Sequence, residues 1–308
     1  MKQISSALIV GGGAIGSMVA AQISAKEPDA VSLLAGGERL ARYRERGFEI
    51  NGKECRFHLT DVESAGESDL VIVACKFHHL ERVIADLKNH VGKDTLILSL
   101  LNGISSEEII GSAFGDRRIP YAMILGTDAG HEANRTSFSK TGTIFFGDAR
   151  NGPDKSERVQ SIADFFDRVG IAYSVPEDML NRLWFKFMMN VGINQVTAVL
   201  RRPYRIFKKN TLIREAAELL DSAMREVMIV AAAEGISLTE ADIETVHKTI
   251  DGLSDGGKTS MCQDVEAGRK TEVELFGGTM VALGERHGIP VPVNAMLYRM
   301  LTVIEKSY

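Results

Sequence analysis

Lys186, Asn190 and Asn194 interrupt the apolar run "LNRLWFKFMMNVGINQV" at four-residue intervals. On a helix that spacing places the three side chains along one face. A lysine ammonium can give a proton to a carbonyl oxygen under reduction and stabilise the charge that gathers there. Amides can hold the hydroxyl and carboxylate oxygens of a small polar substrate. The competing reading is a wet helix face, because Arg182 precedes the series at the same interval. Two features weigh against it. Asn is a poor helix former, and Trp184, Phe185, Phe187, Met188, Met189, Val191 and Ile193 occupy the rest of the circumference. Gly192, costly inside a helix, suggests close approach by a neighbour. The helix alone leaves both readings open.

A second motif bears on the choice. Gly11-x-Gly13-x-x-Gly16 lies between a strand-like run, "SALIV", and a helical one, "AIGSMVAAQIS", with a further strand, "AVSLLA", beyond. Glycines at these places let backbone approach a pyrophosphate, whose charge meets amides at a helix N-terminus. A tight turn without a ligand is the plainer alternative; the strand–helix–strand context favours a dinucleotide. Gly11, Gly12, Gly13, Ala14, Ile15 and Gly16 are then the cofactor loop. The second strand ends "LLAGGERLAR", with Gly36 and Gly37 where an NAD site usually carries an acid. Glu38 comes slightly later, and Arg39 and Arg42 could reach a 2′-phosphate, so NADP (NADPH) is the expected cofactor. A nicotinamide enzyme reducing a ketone needs a proton donor, and this makes the Lys186 stripe a site. Glu272, in "GRKTEVELFGG", could orient the ammonium; a surface salt bridge with Arg269 or Lys270 is its other reading.

These residues need elements to position them. Residues 1–176 alternate strand and helix patterns, as a parallel sheet with crossover helices does. "GFEINGKECRFHL" alternates about Asn51-Gly52, a hairpin signal. Ser105 and Glu108 stand at capping-box spacing. Residues 177–308 carry only helical patterns, at 178–200, 210–234, 239–251, 258–285 and 293–306. The fold class expected is α/β, an N-terminal Rossmann-type domain followed by an all-helical domain. The net charge of −5 gives nucleic acid little support, and no apolar run is long enough to span a membrane. Cys55, Cys75 and Cys262 are scattered and suggest neither disulfides nor a metal site. A cytoplasmic location is expected.

Five segments, "GGGAIGS", "ACK", "LLNGI", "WFKFMMNVGINQVTAV" and "KTSMCQDVEAGRKTEVELFGG", together resemble the motifs of the ketopantoate reductase (2-dehydropantoate 2-reductase) family. The resemblance extends to "HGIPVPVN", essentially the whole chain. It implies NADPH-dependent reduction of ketopantoate to pantoate, in pantothenate biosynthesis. It implies Lys186 as general acid, and Asn190 and Asn194 on substrate. Ser260 falls at the substrate carboxylate and Glu272 by the lysine and cofactor. Asn102 lies where nicotinamide ribose and substrate meet, and Lys76 near the cofactor. Three positions depart from the pattern. Gly36 replaces an arginine for the 2′-phosphate, His79 stands where glutamine is frequent, and Tyr204 falls at a further substrate asparagine. The partner expected is a small 2-oxo acid, with a homodimer as a candidate assembly. Alternatives are a reductase of another small 2-oxo acid and a non-catalytic sensor of nicotinamide redox state.

Overall fold

Short, largely aliphatic runs become the central strands of the N-terminal half. In the computed structural model, which describes residues 3–308, they are β1 (Ala7–Val10), followed by α1 (Ala14–Ser24), and β2 (Val31–Ala35), followed by α2 (Gly37–Arg46). A hairpin, β3 (Phe48–Ile50) and β4 (Lys53–Cys55), precedes β5 (His58–Asp61). Then come β6 (Leu70–Val73), α3 (Leu80–Asp86), β7 (Leu96–Ser99) and α4 (Ser106–Phe114). The five-stranded sheet has the order β5-β2-β1-β6-β7, parallel throughout. Every residue of β1, β6 and β7 is buried, because helices cover both faces of such a sheet. One apolar cluster includes Met18, Ile23 and Phe166, and another includes Leu80, Val83 and Ile110.

Seven more elements complete this half: β8 (Tyr121–Thr127), β9 (Gly130–Glu132), β10 (Arg135–Ser137), β11 (Thr141–Gly147), α5 (Glu157–Val169), β12 (Tyr173–Ser174) and the start of α6 (Met179–Leu200). A three-stranded sheet runs β12-β11-β8 and a four-stranded one β4-β3-β10-β9. The hairpin turns at Asn51 and Gly52, both with positive φ (49° and 77°), as a two-residue primed turn requires. It ends sooner than its alternation suggests. After Cys55 the chain leaves the hairpin, and His58–Asp61 pairs with β2 in the parallel sheet. β9 and β10 carry no periodicity that marks a strand; they form because β10 finds a ladder beside β3. The capping box expected at Ser105 does not form. Ser105 already has helical φ and ψ (−107°, −14°) and makes no side-chain cap, whereas an N-cap needs extended backbone to aim its oxygen at the first turn.

The C-terminal half is helical: the rest of α6, then α7 (Arg214–Ala233), α8 (Glu240–Asp251), α9 (Ser260–Glu266), α10 (Thr279–His287) and α11 (Pro292–Glu305). Thr239 and Asp242 make a reciprocal capping box at the start of α8. The single helix expected over 258–285 is three pieces: α9, a π-helical turn at Glu274–Gly278, and α10. Gly268 turns left-handed (φ 61°), and Arg269 folds back to donate to the Asp264 carboxylate at 2.9 Å. The chain divides into two compact units, one up to Leu180 and one from Asn181 to Tyr308, with the boundary inside α6.

Candidate active site

In the N-terminal unit the glycines of the first motif have separable reasons. Gly11 has φ 104°, and a Cβ there would come within 2.5 Å of the Ala74 carbonyl oxygen at the end of β6. At Gly16 a Cβ would strike the carbonyl of Gly11, and at Gly12 the Tyr43 hydroxyl at 2.7 Å. Backbone therefore leaves no room for a side chain at Gly11 and Gly16, whereas at Gly12 the Tyr43 hydroxyl would have to move aside. Gly13 is different: it has φ −86°, and a Cβ on it would meet nothing within 4 Å. As N-cap of α1 it brings no side chain to the first-turn amides, and that turn contains no acid. Free amides at a helix N-terminus beside open space suit a phosphate. Ser17 steadies the turn by donating to the Gly12 carbonyl at 3.0 Å.

Lys76 and Asn102 follow β6 and β7, at the same carboxyl ends of the sheet. Lys76 is exposed and precedes a 3-10 turn at Phe77–His79. Asn102 is half-buried and precedes Gly103, which has φ 88°. His78 and His79 are exposed, their rings 4.1 Å apart. At the end of β2, a Cβ on Gly36 would lie 2.5 Å from Val62 Cγ2, so Val62 occupies the space a side chain there would need. Glu38, Arg39 and Arg42 are exposed on α2. Among the described residues no group of three or more His, Cys, Asp or Glu could hold a metal. No helix among them is long and apolar enough to cross a membrane.

In the C-terminal unit, α6 carries Lys186 and Asn194 buried, each 6% exposed, with Asn190 half-buried between them. The stripe is not a wet face. Asn194 Nδ2 donates to Asn190 Oδ1 at 3.3 Å. Asn194 Oδ1 is buried and accepts no hydrogen bond among the described residues. An orphaned buried acceptor costs about 1–3 kcal/mol, which a ligand's hydroxyl or amine would relieve. Thr197 continues the stripe, and its hydroxyl lies 2.7 Å from that of Thr259, the N-cap of α9. Sequence reasoning passed over both threonines, although Thr197 stands three residues beyond Asn194, on the same face. Ser260, the first residue of α9, is exposed. Glu272 is buried, 8% exposed, in the segment before the π-turn. Arg269, one candidate surface partner for it, engages Asp264 instead.

Tyr204 lies half-buried after α6. Its amide donates to the Gly257 carbonyl at 2.9 Å, and a Cβ on Gly257 would press its ring at 3.0 Å. Its hydroxyl is held above the usual phenol range first by burial and then by the nearby Cys262 thiol, itself pushed up by burial. Gly192 is explained by α7: a Cβ there would lie 2.8 Å from Leu220 Cδ1 and from Met224 Cγ. A further buried polar chain, not evident from spacing, braces α6 from behind. Gln195 Nε2 donates to Asn294 Oδ1 at 2.9 Å, and Asn294 Nδ2 donates to Glu226 Oε2 at 2.8 Å.

A glycine cradle at a helix N-terminus of a parallel sheet, with a separate helical unit bearing a buried lysine and amides, is the layout of a nicotinamide-dependent oxidoreductase. The particular family follows from comparison. Residues 7–151 match the family model of ketopantoate reductase PanE/ApbA, and residues 178–305 match that of its C-terminal domain. The chain belongs to the ketopantoate reductase family. It is 26% identical over 255 residues to 2-dehydropantoate 2-reductase of Vibrio cholerae, covering 82% of this chain and 83% of that one. It shares its fold with dimeric ketopantoate reductase from Staphylococcus aureus (TM-score 0.82, 20% identity, 98% and 99% covered). It also shares it with D-mandelate dehydrogenase, solved with NADH (TM-score 0.87, 23% identity, 98% and 99% covered).

Proposed function

We propose that this protein reduces a small 2-oxo acid, 2-dehydropantoate first, with NADPH. The carrying observation is the buried, unpartnered Asn194 Oδ1 on the face it shares with the buried Lys186. A substrate hydroxyl donating to that oxygen would relieve it, and a site that keeps such an acceptor discriminates against analogues lacking the hydroxyl. Lys186 Nζ gives its proton to the substrate carbonyl oxygen as that oxygen takes on charge. Asn190 and Asn194 orient the substrate, Ser260 takes its carboxylate end, and Glu272 orients the ammonium. The bound nicotinamide supplies the hydride. Gly11, Gly12, Gly13, Ala14, Ile15 and Gly16 hold its pyrophosphate, with Lys76, Asn102 and Glu272 as further cofactor contacts. NADPH is favoured over NADH because no acid stands at Gly36 or Gly37 to repel a 2′-phosphate, and Arg39 and Arg42 are exposed on α2. The chain acts as the N-terminal domain 1–176 on cofactor and 177–308 on substrate. A cytoplasmic enzyme, with a homodimer as its assembly, completes the reading.

A second substrate reading rests on Tyr204. Its hydroxyl has no hydrogen-bond partner among the described residues, and its ring replaces a smaller amide, which would suit another 2-oxo acid. Progress curves of NADPH absorbance over a panel of 2-oxo acids separate the two. Ketopantoate is expected to be the best substrate, and Tyr204→Phe to lower activity on it. Ketopantoate turned over no faster than its analogue lacking the hydroxyl, with a silent Tyr204→Phe, would transfer the assignment to another 2-oxo acid. No turnover of any 2-oxo acid would favour a redox sensor.

A further inference from the structure

The connection leaving α6 reads "RRPYRIFKK" from residue 201 to 209, five cations and no acid, in a chain whose net charge is −5. Averaging charge over the whole chain hides this cluster. Arg201, Arg202, Arg205 and Lys209 are exposed and make no ion pair among the described residues. Lys208 is the exception, with Asp255 at 2.6 Å.

The backbone of the run is fastened to the segment before α9. The amides of Tyr204 and Arg205 donate to the carbonyls of Gly257 and Asp255, and the Lys209 amide donates to the Asp251 carboxylate. Lys208 Nζ also donates to the Leu253 carbonyl. Arg202 lies near enough to the Lys258 ammonium, and Arg201 to the Cys262 thiol, to be felt electrostatically at the start of α9. Together the two segments present six cations against Asp251 and Asp255, with Glu266 held by Lys258 at 2.6 Å.

Position along α6 relates this cluster to the candidate site. Asn190, Asn194 and Thr197 succeed one another at helical spacing on α6, which ends at Leu200; Arg201 follows with a left-handed φ of 50°, and the Arg202 amide donates back to the Thr197 carbonyl at 3.2 Å. Six residues at about 1.5 Å each put the end of α6, and Arg201 just after it, roughly 10 Å beyond Asn194. At that distance in dilute buffer one cation raises the local concentration of a monoanion by about twofold.

We propose that the Arg201–Lys209 connection is an electrostatic collector, which draws the carboxylate of the substrate toward the α6 stripe without touching it in the reacting complex. This rests on the 2-oxo acid reading above and adds the means by which an acidic protein gathers an anionic substrate. A collector acts on kcat/KM and not on kcat, and salt abolishes it, because the screening length falls to about 3 Å at 1 M.

The test compares the full-length protein with Arg201→Gln/Arg202→Gln/Arg205→Gln at saturating NADPH, on the best 2-oxo acid of the panel. The triple variant should lose about three- to eightfold in kcat/KM in 10 mM buffer, keep its kcat, and converge on the wild type in 1 M salt. Lys88→Gln/Lys93→Gln/Lys155→Gln removes the same charge from exposed sites on the N-terminal unit and should leave kcat/KM within about twofold. Equal kcat/KM at low salt, a loss that persists in 1 M salt, or an equal loss in the second variant overturns the collector while the reductase assignment stands. A wild type that turns over no 2-oxo acid overturns the assignment itself, and the collector with it.

Discussion

Lys186 and Gly13 make opposite demands on a mutational test. Lys186 is buried, so its removal acts on chemistry and on local packing together. General acid catalysis contributes about 10²- to 10⁴-fold, and turnover by Lys186→Ala is expected to fall by that much while cofactor affinity, read by fluorescence titration, stays close to wild type. If Glu272 orients the ammonium, adding Glu272→Ala to that variant costs far less than it does alone. Additive losses would show the two residues acting independently. A Cβ on Gly13 would meet nothing within 4 Å, so Gly13→Ala should shift the melting temperature of the cofactor-free protein by only a few degrees. The methyl group points into the space assigned to the pyrophosphate, and cofactor Kd should rise at least about tenfold, about 1.4 kcal/mol. Unchanged Kd would remove the glycine loop from the cofactor site.

At the scale of the element, α6 and α7 meet across Gly192. Leu220 and Met224 are fully buried, so neither has free space to retreat into when a methyl group arrives. Overpacking costs about 1–3 kcal/mol, and exchange of glycine for alanine inside a helix returns up to about 1 kcal/mol. Gly192→Ala is therefore expected to destabilise by about 1 kcal/mol, seen as a lower midpoint in urea unfolding of the C-terminal unit. A stabilised variant would mean that α7 yields and that the close approach is not required. The hairpin and the broken helix teach the same lesson at this scale. "CRFHL" has a strand's alternation, but alternation does not choose a partner, and the ladder open beside β2 did. The pattern over 258–285 is helical throughout, yet a left-handed glycine and the Arg269–Asp264 contact end α9 before Gly268.

For the whole molecule, cofactor choice is the property that summed charge and fold leave open. A ligand that binds only the folded protein stabilises it by about 2.7 kcal/mol at one hundred times its Kd. Thermal unfolding with NADPH and with NADH at equal concentration should therefore show the larger upward shift with NADPH, and Arg39→Ala/Arg42→Ala should shrink the difference. A larger shift with NADH would place Glu38 on the ribose hydroxyls and reverse the cofactor assignment.

The sequence by itself determined the type and order of the main elements, because buried parallel strands must be continuously apolar and a buried helix must be apolar nearly all round. It also singled out the candidate site residues: Gly11, Gly13 and Gly16 by their spacing between strand and helix, and Lys186, Asn190 and Asn194 by polar residues recurring on a greasy face. Tertiary structure decided what each of them meets. Only contacts across sequence, in this case with backbone, separate Gly11 and Gly16, which packing requires, from Gly13, which it does not. Only they set Val62 in the space beside Gly36 and pair Thr197 with Thr259. Only they leave Asn194 Oδ1 without a donor. Periodicity records which side of an element faces inward; the atom waiting there comes from a distant part of the chain, and a one-dimensional pattern carries no record of it.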